Sequence, residues 1–320
     1  MGTVEPTLLF YLNIIMMELR GFLMEEIILE NEVLRIRICP ALGGKIISFF
    51  LKAKEFELAA QCGKDRHDAV QKKDSFAPYA YGMDDAFPNI NGEMVDWDQR
   101  QLLYPDHGEI WRARFKTEKR SSKIVCLSWS SPVFHYLFRK RMRLNENTLH
   151  IQYHIENQGK EDFPCIWTWH GLVTYEQDME LLLPEELTHY RIVLDGNLLG
   201  KEGSVYPREN DFYDFRKMPD PSLCNAAKYY GEESVQTGHC GVYYPSRDVV
   251  YYLDYDARKL PYLGVWITLG GFQGDYNCAL EPTNGYYDSI GRAGKNQKLP
   301  VLKRGESLDF TIRLTLKEGK

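Results

Sequence analysis

The chain has 320 residues, of which 44% are hydrophobic and 13% aromatic, so it can bury a large apolar core. Its formal net charge of −6 at pH 7 argues against non-specific nucleic-acid binding, which needs a basic surface. The one dense basic run, at residues 138–143, falls in a strand-like stretch and is interpreted as a solvated strand face.

Cysteine usage indicates the redox setting. The seven cysteines are scattered and form no Cys-x-x-Cys pair. An odd number without regular spacing predicts free thiols and therefore a reducing, cytoplasmic location. Because no Cys/His cluster has ligand spacing and no His-Glu-x-x-His sequence occurs, we expect no metal site.

Residues 1–24 are interpreted as an N-terminal extension of uncertain status, irregular or helical. Their apolar run at residues 8–17 is shorter than the roughly 20 residues that span a bilayer. Only the acidic Glu5 precedes this run and no small-residue cleavage site follows it, which is unlike a signal peptide. We therefore expect no membrane association, and Met17 or Met24 is a candidate natural start.

Alternation of apolar and polar residues predicts strands along the chain. In chain order these are residues 33–39, 46–51, 123–128, 149–156, 249–255, 264–269, 276–280 and 308–316. The clearest alternation, at 33–39, 149–156 and 308–316, marks strands with one buried and one wet face and thus antiparallel sheets. Residues 145–147, between two such strands, predict a hairpin turn.

Helical signals are few. Candidates are residues 18–25, a turn near residues 184–187, and residues 221–230. No linker, repeat or compositional break interrupts the strand pattern between about residues 25 and 316. The sequence therefore predicts an all-β protein in which residues 25–320 form a single antiparallel β-sandwich domain.

Three side chains are candidates for proton transfer. Glu281 follows an apolar run and precedes Pro282, which predicts an extended backbone at the end of a strand. His107 lies in Pro-Asp-His-Gly and His170 in Trp-Thr-Trp-His-Gly. One carboxylate and two imidazoles can move protons in both directions near pH 7.

Aromatic and polar residues share several loops. They occur at residues 76–89, 206–215 and 285–288, in a chain with 21 tyrosines. Aromatic rings beside polar groups suit sugars, although tyrosine is also common in strands. No phosphate-binding loop and no Gly-x-Ser-x-Gly sequence occurs, which disfavours nucleotide binding and serine hydrolysis.

Several short segments resemble, in order, the signature sequences of the aldose 1-epimerases, also called galactose mutarotases. They are NEVLRIRICPALGGKIIS at 31–48, Phe-Pro-Asn at 87–89, Asp-His-Gly at 106–108, Trp-His-Gly-Leu at 169–172, Ala-Leu-Glu-Pro at 279–282, Asp-Ser at 288–289 and Lys-Arg-Gly-Glu at 303–306. Together with the last strand, the matches extend over residues 31–316, nearly the whole chain.

This resemblance implies a β-supersandwich fold with the sugar bound on a concave face. It implies that His170 is the acid, that Glu281 is the base and that His107 helps to hold the substrate. The implied reaction interconverts the α and β anomers of a small-molecule carbohydrate by opening and closing its ring. Two groups of suitable pKa suffice for this reaction, so we expect no cofactor.

Two positions depart from the family pattern. The family has an arginine just after the Pro-Asn that matches Pro88-Asn89, but Ile90 and Asn91 follow here. Before a late strand it has an aspartate, and the corresponding stretch here offers His239. Because both family residues bind sugar hydroxyls, these departures bear on which sugar is bound.

The remaining candidate substrate ligands follow from the same comparison. Asn89 lies in a matched segment, and Arg112 or Arg100 is a candidate replacement for the missing arginine. Asp84 and Asp85 are equally well explained as sugar ligands or as solvated loop charges, and Asp85 is kept as a candidate ligand.

Two alternatives stay open. A hexose-phosphate 1-epimerase of the same fold would need two or three arginines around a phosphate, with Arg112 and Arg114 as candidates. A non-catalytic carbohydrate-binding protein would keep the aromatic loops but would not need His170 and Glu281 to face each other. The oligomeric state stays open between monomer and homodimer.

Overall fold

The computed structural model of the protein describes residues 25–62, 76–195 and 199–319. These residues form antiparallel β-sheets with very little helix. In chain order the strands are β1 (Ile27–Glu30), β2 (Leu34–Cys39), β3 (Lys45–Leu51), β4 (Phe56–Glu57), β5 (Met83–Ala86), β6 (Glu93–Trp97), β7 (Arg100–Tyr104), β8 (Lys116–Arg120), β9 (Ile124–Ser130), β10 (Tyr136–Asn145), β11 (Thr148–Asn157), β12 (Phe163–Pro164), β13 (Thr168–Thr174), β14 (Glu180–Leu182), β15 (His189–Asp195), β16 (Val205–Pro207), β17 (Ala226–Gly231), β18 (His239–Tyr244), β19 (Val249–Tyr255), β20 (Tyr262–Leu269), β21 (Tyr276–Thr283), β22 (Val301–Leu302) and β23 (Ser307–Glu318). Within the described ranges, one short α-helix, α1, covers Ile290–Lys295.

Two large sheets contain most of these strands. In the described chain, the first has the order β1-β2-β3-β5-β13-β21-β20-β17-β15-β16, with β4 beside β3, and the second has the order β14-β18-β19-β23-β11-β10-β9-β8. The two sheets pack face to face, and a single cluster of buried apolar side chains between them contains residues from both sheets. This antiparallel sandwich confirms the predicted fold class.

The strongest sequence patterns correspond to strands. The predicted segments at 33–39, 149–156 and 308–316 are β2, β11 and β23, and each buries alternate residues. The remaining predicted strands correspond to β3, β9, β19, β20 and β21. Asn145 pairs with Thr148 across the β10–β11 hairpin, as expected, and the Leu187 N–H donates to the Pro184 carbonyl in the predicted turn.

Two local predictions were wrong. Residues 221–230 are not a helix: one 3-10 turn, Pro221–Leu223, ends at Cys224, whose φ of 47° is left-handed. The rest of that segment is strand β17, which pairs with β20. Glu281 does not end its strand, because β21 continues through Pro282 to Thr283.

The basic run at 138–143 is only partly solvated. It lies in β10, where the arginines are exposed and Lys140 is buried. The N-terminal extension and most of the helix predicted at 18–25 lie outside the described residues. Within the described ranges, no helix is long and apolar enough to cross a membrane.

Candidate active site

A row of residues, four of them polar, crosses five neighbouring strands of the first sheet. Asp84 on β5 pairs with His170 on β13. The β13–β21 register, with Thr168 opposite Thr283 and Leu172 opposite Ala279, places His170 opposite Glu281. Because directly opposed residues of antiparallel strands project from the same face, these side chains converge on one surface.

The row continues through β20 and β17. Glu281 pairs with Gly264, and Gly264 pairs with Tyr230. A Cβ at Gly264 would lie 2.7 Å from the Tyr230 ring, so glycine makes room for that ring beside Glu281. Strand register alone thus brings residues 84, 170, 230, 264 and 281 together.

His170 lies between two carboxylates. Its Nδ1 is 3.0 Å from Asp84 Oδ1, and its Nε2 is 3.9 Å from Glu281 Oε1. An ionised carboxylate only accepts hydrogen bonds, so Nδ1 carries the proton that is donated to Asp84. Nε2 therefore faces Glu281, at a separation that is too long for a direct hydrogen bond.

Lys45 contacts the Asp84 carboxylate oxygen that does not face His170. Its Nζ lies 2.8 Å from Asp84 Oδ2 and donates to the Tyr79 and Tyr81 carbonyls, and the lysine has no exposed surface. Burial raises the pKa of the Asp84 carboxyl, but Lys45 and His170 together lower that pKa by more than burial raises it. The pKa of Asp84 is therefore below its usual value. Asp84 is therefore an ionised orienting group for His170.

Glu281 has a second cationic partner, Lys228. Lys228 Nζ is 2.7 Å from Glu281 Oε2 and 3.0 Å from Asp288 Oδ1. The Tyr230 hydroxyl donates to the same Asp288 oxygen at 2.7 Å. Burial lowers the pKa of Lys228, but Asp288 and Glu281 outweigh it and the net pKa is raised, so the lysine is charged.

His107 stands beside His170 with its ring packed on Phe76. The His107 and Phe76 ring centroids are 3.8 Å apart and nearly parallel, and the two imidazoles meet edge-on at 5.2 Å. His107 Nδ1 lies 2.8 Å from Asp106 Oδ1. Removal of the ring from water lowers the pKa of His107 more than Asp106 raises it, so the ring is neutral at pH 7.

These groups line a cavity of about 300 Å³. Its polar lining residues are Asn91, His107, His170, Lys228, Asn277, Glu281 and Asp288, and its apolar ones are Phe76, Ala80, Ile90, Leu172, Val193, Leu194, Trp266 and Phe272. The next row of the sheet, Leu172–Ala279–Trp266, lies beside the row that contains His170 and Glu281. The cavity thus has titratable groups at one end and an apolar wall that could pack on the C–H face of a ring.

Three of the candidate site residues meet in this cavity and four do not. His107, His170 and Glu281 line it. Asn89 is buried behind it and donates to the Asn91 and Pro105 carbonyls, so that it supports a loop. The other three candidate ligands do not line the cavity either.

Asp85 and His239 have partners elsewhere. Asp85 follows Asp84 on β5 and so projects from the opposite face, where its Oδ2 lies 2.8 Å from Lys140 Nζ. His239 is exposed on β18 of the second sheet and pairs with Asp254 at 2.7 Å. Neither reaches the cavity.

Arg112 is exposed, with its guanidinium 5.7 Å from the Trp111 ring centroid. The structure does not bring it into the cavity, nor Arg100 or Arg114. Among the described lining residues there is no arginine. Within the described ranges, no group of three or more His, Cys, Asp or Glu residues is placed to hold a metal ion.

Sequence reasoning missed Lys45 and Lys228. Each lysine reaches a carboxylate more than 35 positions away in sequence, and no local pattern reports such a pairing. A weak signal existed for Lys228: it is the only charged residue in Ala-Ala-Lys-Tyr-Tyr-Gly at 226–231. In a strand with neighbours on both sides, such a lysine needs an acidic partner.

The fold is similar to that of several solved structures. The chain is similar to the Slr1438 protein from Synechocystis sp. PCC 6803, with a TM-score of 0.72, 14% identity and coverage of 92% of this chain and 96% of that one. A galactose mutarotase-like protein from Lactobacillus casei ATCC 334 has a TM-score of 0.69, 16% identity and coverage of 92% and 100%. The chain has the galactose mutarotase-like fold.

Other solved structures with the galactose mutarotase-like fold agree. The GalM/aldose epimerase homologue from C. elegans has a TM-score of 0.66, 12% identity and coverage of 92% of this chain and 99% of that one. No protein-family model and no curated protein matches the chain in sequence. At these identities the comparison establishes the galactose mutarotase-like fold and not an activity.

Proposed function

We propose that the protein is an aldose 1-epimerase-like isomerase that interconverts the α and β anomers of a neutral aldose. The observation that supports this most is the pair formed by His170 Nε2 and Glu281 Oε1. The two atoms face each other across 3.9 Å at a cavity wall. An acid and a base this close can act on the same small group of substrate atoms.

The reaction uses the two groups in opposite directions. Glu281 Oε1 takes the proton from the anomeric hydroxyl, the O1 electron pair forms the C1=O1 double bond, and the C1–O5 bond breaks. His170 delivers its Nε2 proton to O5 as that bond breaks. After rotation about C1–C2, the reverse transfers close the ring on the other face of the aldehyde and restore both groups.

The other lining groups support binding of a sugar. His107, neutral at pH 7 and donating from Nδ1 to Asp106, leaves Nε2 to accept a hydrogen bond from a hydroxyl. Trp266 presents an aromatic face, and Asn91 and Asn277 present amides that match sugar hydroxyls. Ile90 takes the place of the expected arginine in the cavity lining, which favours a substrate without a charge at that point.

A phosphorylated sugar has less support than a neutral one. The described lining contains no arginine, and Lys228 already contacts two carboxylates. Because Glu281 and Asp288 both hold the Lys228 ammonium, it is not available to bind a phosphate. A non-catalytic carbohydrate-binding protein would have no need for the facing His170–Glu281 pair.

The decisive experiment measures anomer exchange by NMR magnetisation transfer on a panel of free and phosphorylated aldoses. Wild type is compared with His170→Gln and Glu281→Gln, each expected to lose on the order of 10²-fold or more in kcat/KM. His239→Gln is the matched control, because that histidine is exposed and outside the cavity. No acceleration with any aldose, or full activity in both cavity variants, would refute the proposal.

A further inference from the structure

The lysine that contacts Glu281 is unusual in its setting. Lys228 extends from β17, its side chain is about nine-tenths buried, and its Nζ contacts Glu281 Oε2 at 2.7 Å and Asp288 Oδ1 at 3.0 Å. An ammonium group enclosed to this degree is costly unless it is paired. Here it is paired with the residue proposed to be the catalytic base.

Glu281 is buried in a position where a carboxylate needs a compensating cation. The residue has no exposed surface, and burial of a carboxyl favours its neutral, protonated form. A protonated Glu281 could not accept the anomeric proton. The contact at Oε2 stabilises the ionised form, which is the form the proposed reaction needs.

The same contact fixes the direction of the carboxylate. With Oε2 held by Lys228, the other oxygen, Oε1, faces His170 Nε2. Lys228 is itself held by Asp288, whose side chain accepts from Tyr230 and whose carbonyl accepts from the N–H groups of residues 90 and 91. The orientation of the base is therefore tied to the loop that forms one cavity wall.

We propose that Lys228 is a positioning residue of the acid/base pair: its ammonium keeps Glu281 ionised and aims Oε1 at the substrate. This inference rests on the proposed epimerase function. Lys228 neither gains nor loses a proton in the reaction. The proton from the anomeric hydroxyl moves to Oε1, and the proton delivered to O5 comes from His170.

Charge-matched variants can separate this role from a general structural one. Lys228→Met removes the cation and leaves two buried acids without it, whereas Lys228→Arg keeps the charge. The double variant Lys228→Met/Asp288→Asn removes one charge of each sign, so the group formed by residues 228, 281 and 288 keeps its net charge of −1. We expect the double variant to be more stable than Lys228→Met, because it leaves one buried acid without a cation and not two. Lys298→Met is the control, because that lysine packs on the Tyr286 ring, at 4.1 Å, and not on Glu281.

The pH dependence of anomer exchange is the first readout. We expect Lys228→Met and the double variant to lose on the order of 10²-fold in kcat/KM at pH 7. The acid limb of their pH profile should move to higher pH, so that raising the pH restores part of the rate. Lys228→Arg should keep the wild-type limb, and Lys298→Met should keep the whole profile. An unshifted limb in both Lys228→Met variants would overturn the proposal.

A second readout does not depend on activity. The side-chain carboxyl carbon of Glu281, assigned by its loss in Glu281→Gln, is followed by ¹³C NMR from pH 8 to pH 4. Wild type and Lys228→Arg should keep the carboxylate signal to lower pH than Lys228→Met and the double variant. Identical titrations would refute the role of Lys228. Different titrations in a wild type that epimerises no sugar would refute the proposed function alone.

Discussion

His170 is held in one ring orientation by a carboxylate that is itself held by a lysine. Asp84 accepts from His170 Nδ1 at 3.0 Å on one oxygen and contacts Lys45 at 2.8 Å through the other. Both of its oxygens are thus needed as acceptors. With Nδ1 committed to Asp84, Nε2 is the ring nitrogen that faces Glu281 and can act in the proposed reaction.

Asp84→Asn should therefore reduce catalysis. The new amide has one acceptor, which Lys45 would occupy, so its N–H₂ would face His170 Nδ1 and oppose a proton there. We expect kcat to fall by on the order of 10²-fold or more, with KM little changed. NMR anomer exchange gives both constants, and ¹⁵N shifts of the imidazole report the tautomer.

A surface His–Asp pair provides the matched control for that substitution. His154 Nδ1 lies 2.8 Å from Asp309 Oδ1 on the exposed face of β11 and β23, and Asp309→Asn should leave kcat unchanged. If Asp84→Asn retained the wild-type kcat and imidazole shifts, Asp84 would not orient His170.

At the scale of single elements, β17 and β20 act together in shaping the site. Gly264 on β20 is opposite Tyr230 on β17, and its missing side chain leaves space for that ring. The Tyr230 hydroxyl then reaches Asp288 at 2.7 Å. The strand pair thereby positions the Tyr230 hydroxyl, which holds the Asp288 carboxylate beside Lys228.

Gly264→Ala should disturb this arrangement. The added methyl would lie 2.7 Å from the Tyr230 ring, so the ring must move, at a cost of about 1–3 kcal/mol. We expect a lower urea midpoint and a reduced exchange rate. Gly294→Ala is the control: this glycine lies in α1, and its Cβ would make an ordinary 3.6 Å contact with Leu299, so stability should be equal or slightly higher. Equal effects of the two substitutions would argue against a specific role for Gly264.

Sequence predicted these elements unevenly, for a physical reason. β2, β11 and β23 bury one face only, so their alternation is visible in the chain. β17 has buried residues on both faces, so it shows no period of two and was predicted as helical. Lys228 was missed with it, since a lysine in a supposed helix has no required partner.

At the scale of the whole molecule, strand β5 has the cavity on one face and the core between the two sheets on the other. Asp84 and Asp85 are successive residues of β5; one contacts His170 in the cavity and the other contacts Lys140 between the two sheets. Sequence could name His170 and Glu281 from the resemblance, but it could not assign the two aspartates. Which face each one occupies depends on the pairing of β5 with β13, a partner more than 80 positions away.

The Lys140–Asp85 pair joins the first sheet to the second and is predicted to be a stability determinant. Lys140 Nζ and Asp85 Oδ2 are 2.8 Å apart, and both side chains are at most 1% exposed. Lys140→Met should destabilise the protein by about 3–5 kcal/mol at pH 7, because it leaves a buried carboxylate unpaired. Lys140→Met/Asp85→Leu, which removes both charges, should recover much of that loss, as urea denaturation would measure.

The pH dependence of this loss has a definite sign. Burial raises the pKa of the Asp85 carboxyl although Lys140 lowers it. A carboxyl whose folded pKa exceeds its unfolded value destabilises the fold above the unfolded pKa, near 3.9, and this penalty shrinks as the pH falls. Without Lys140 the penalty grows, so the difference between wild type and Lys140→Met should be largest at pH 7 and smaller at pH 4. The double variant should lack this dependence. An equal difference at both pH values, or a single variant as stable as wild type, would show that the pair does not stabilise the contact between the sheets.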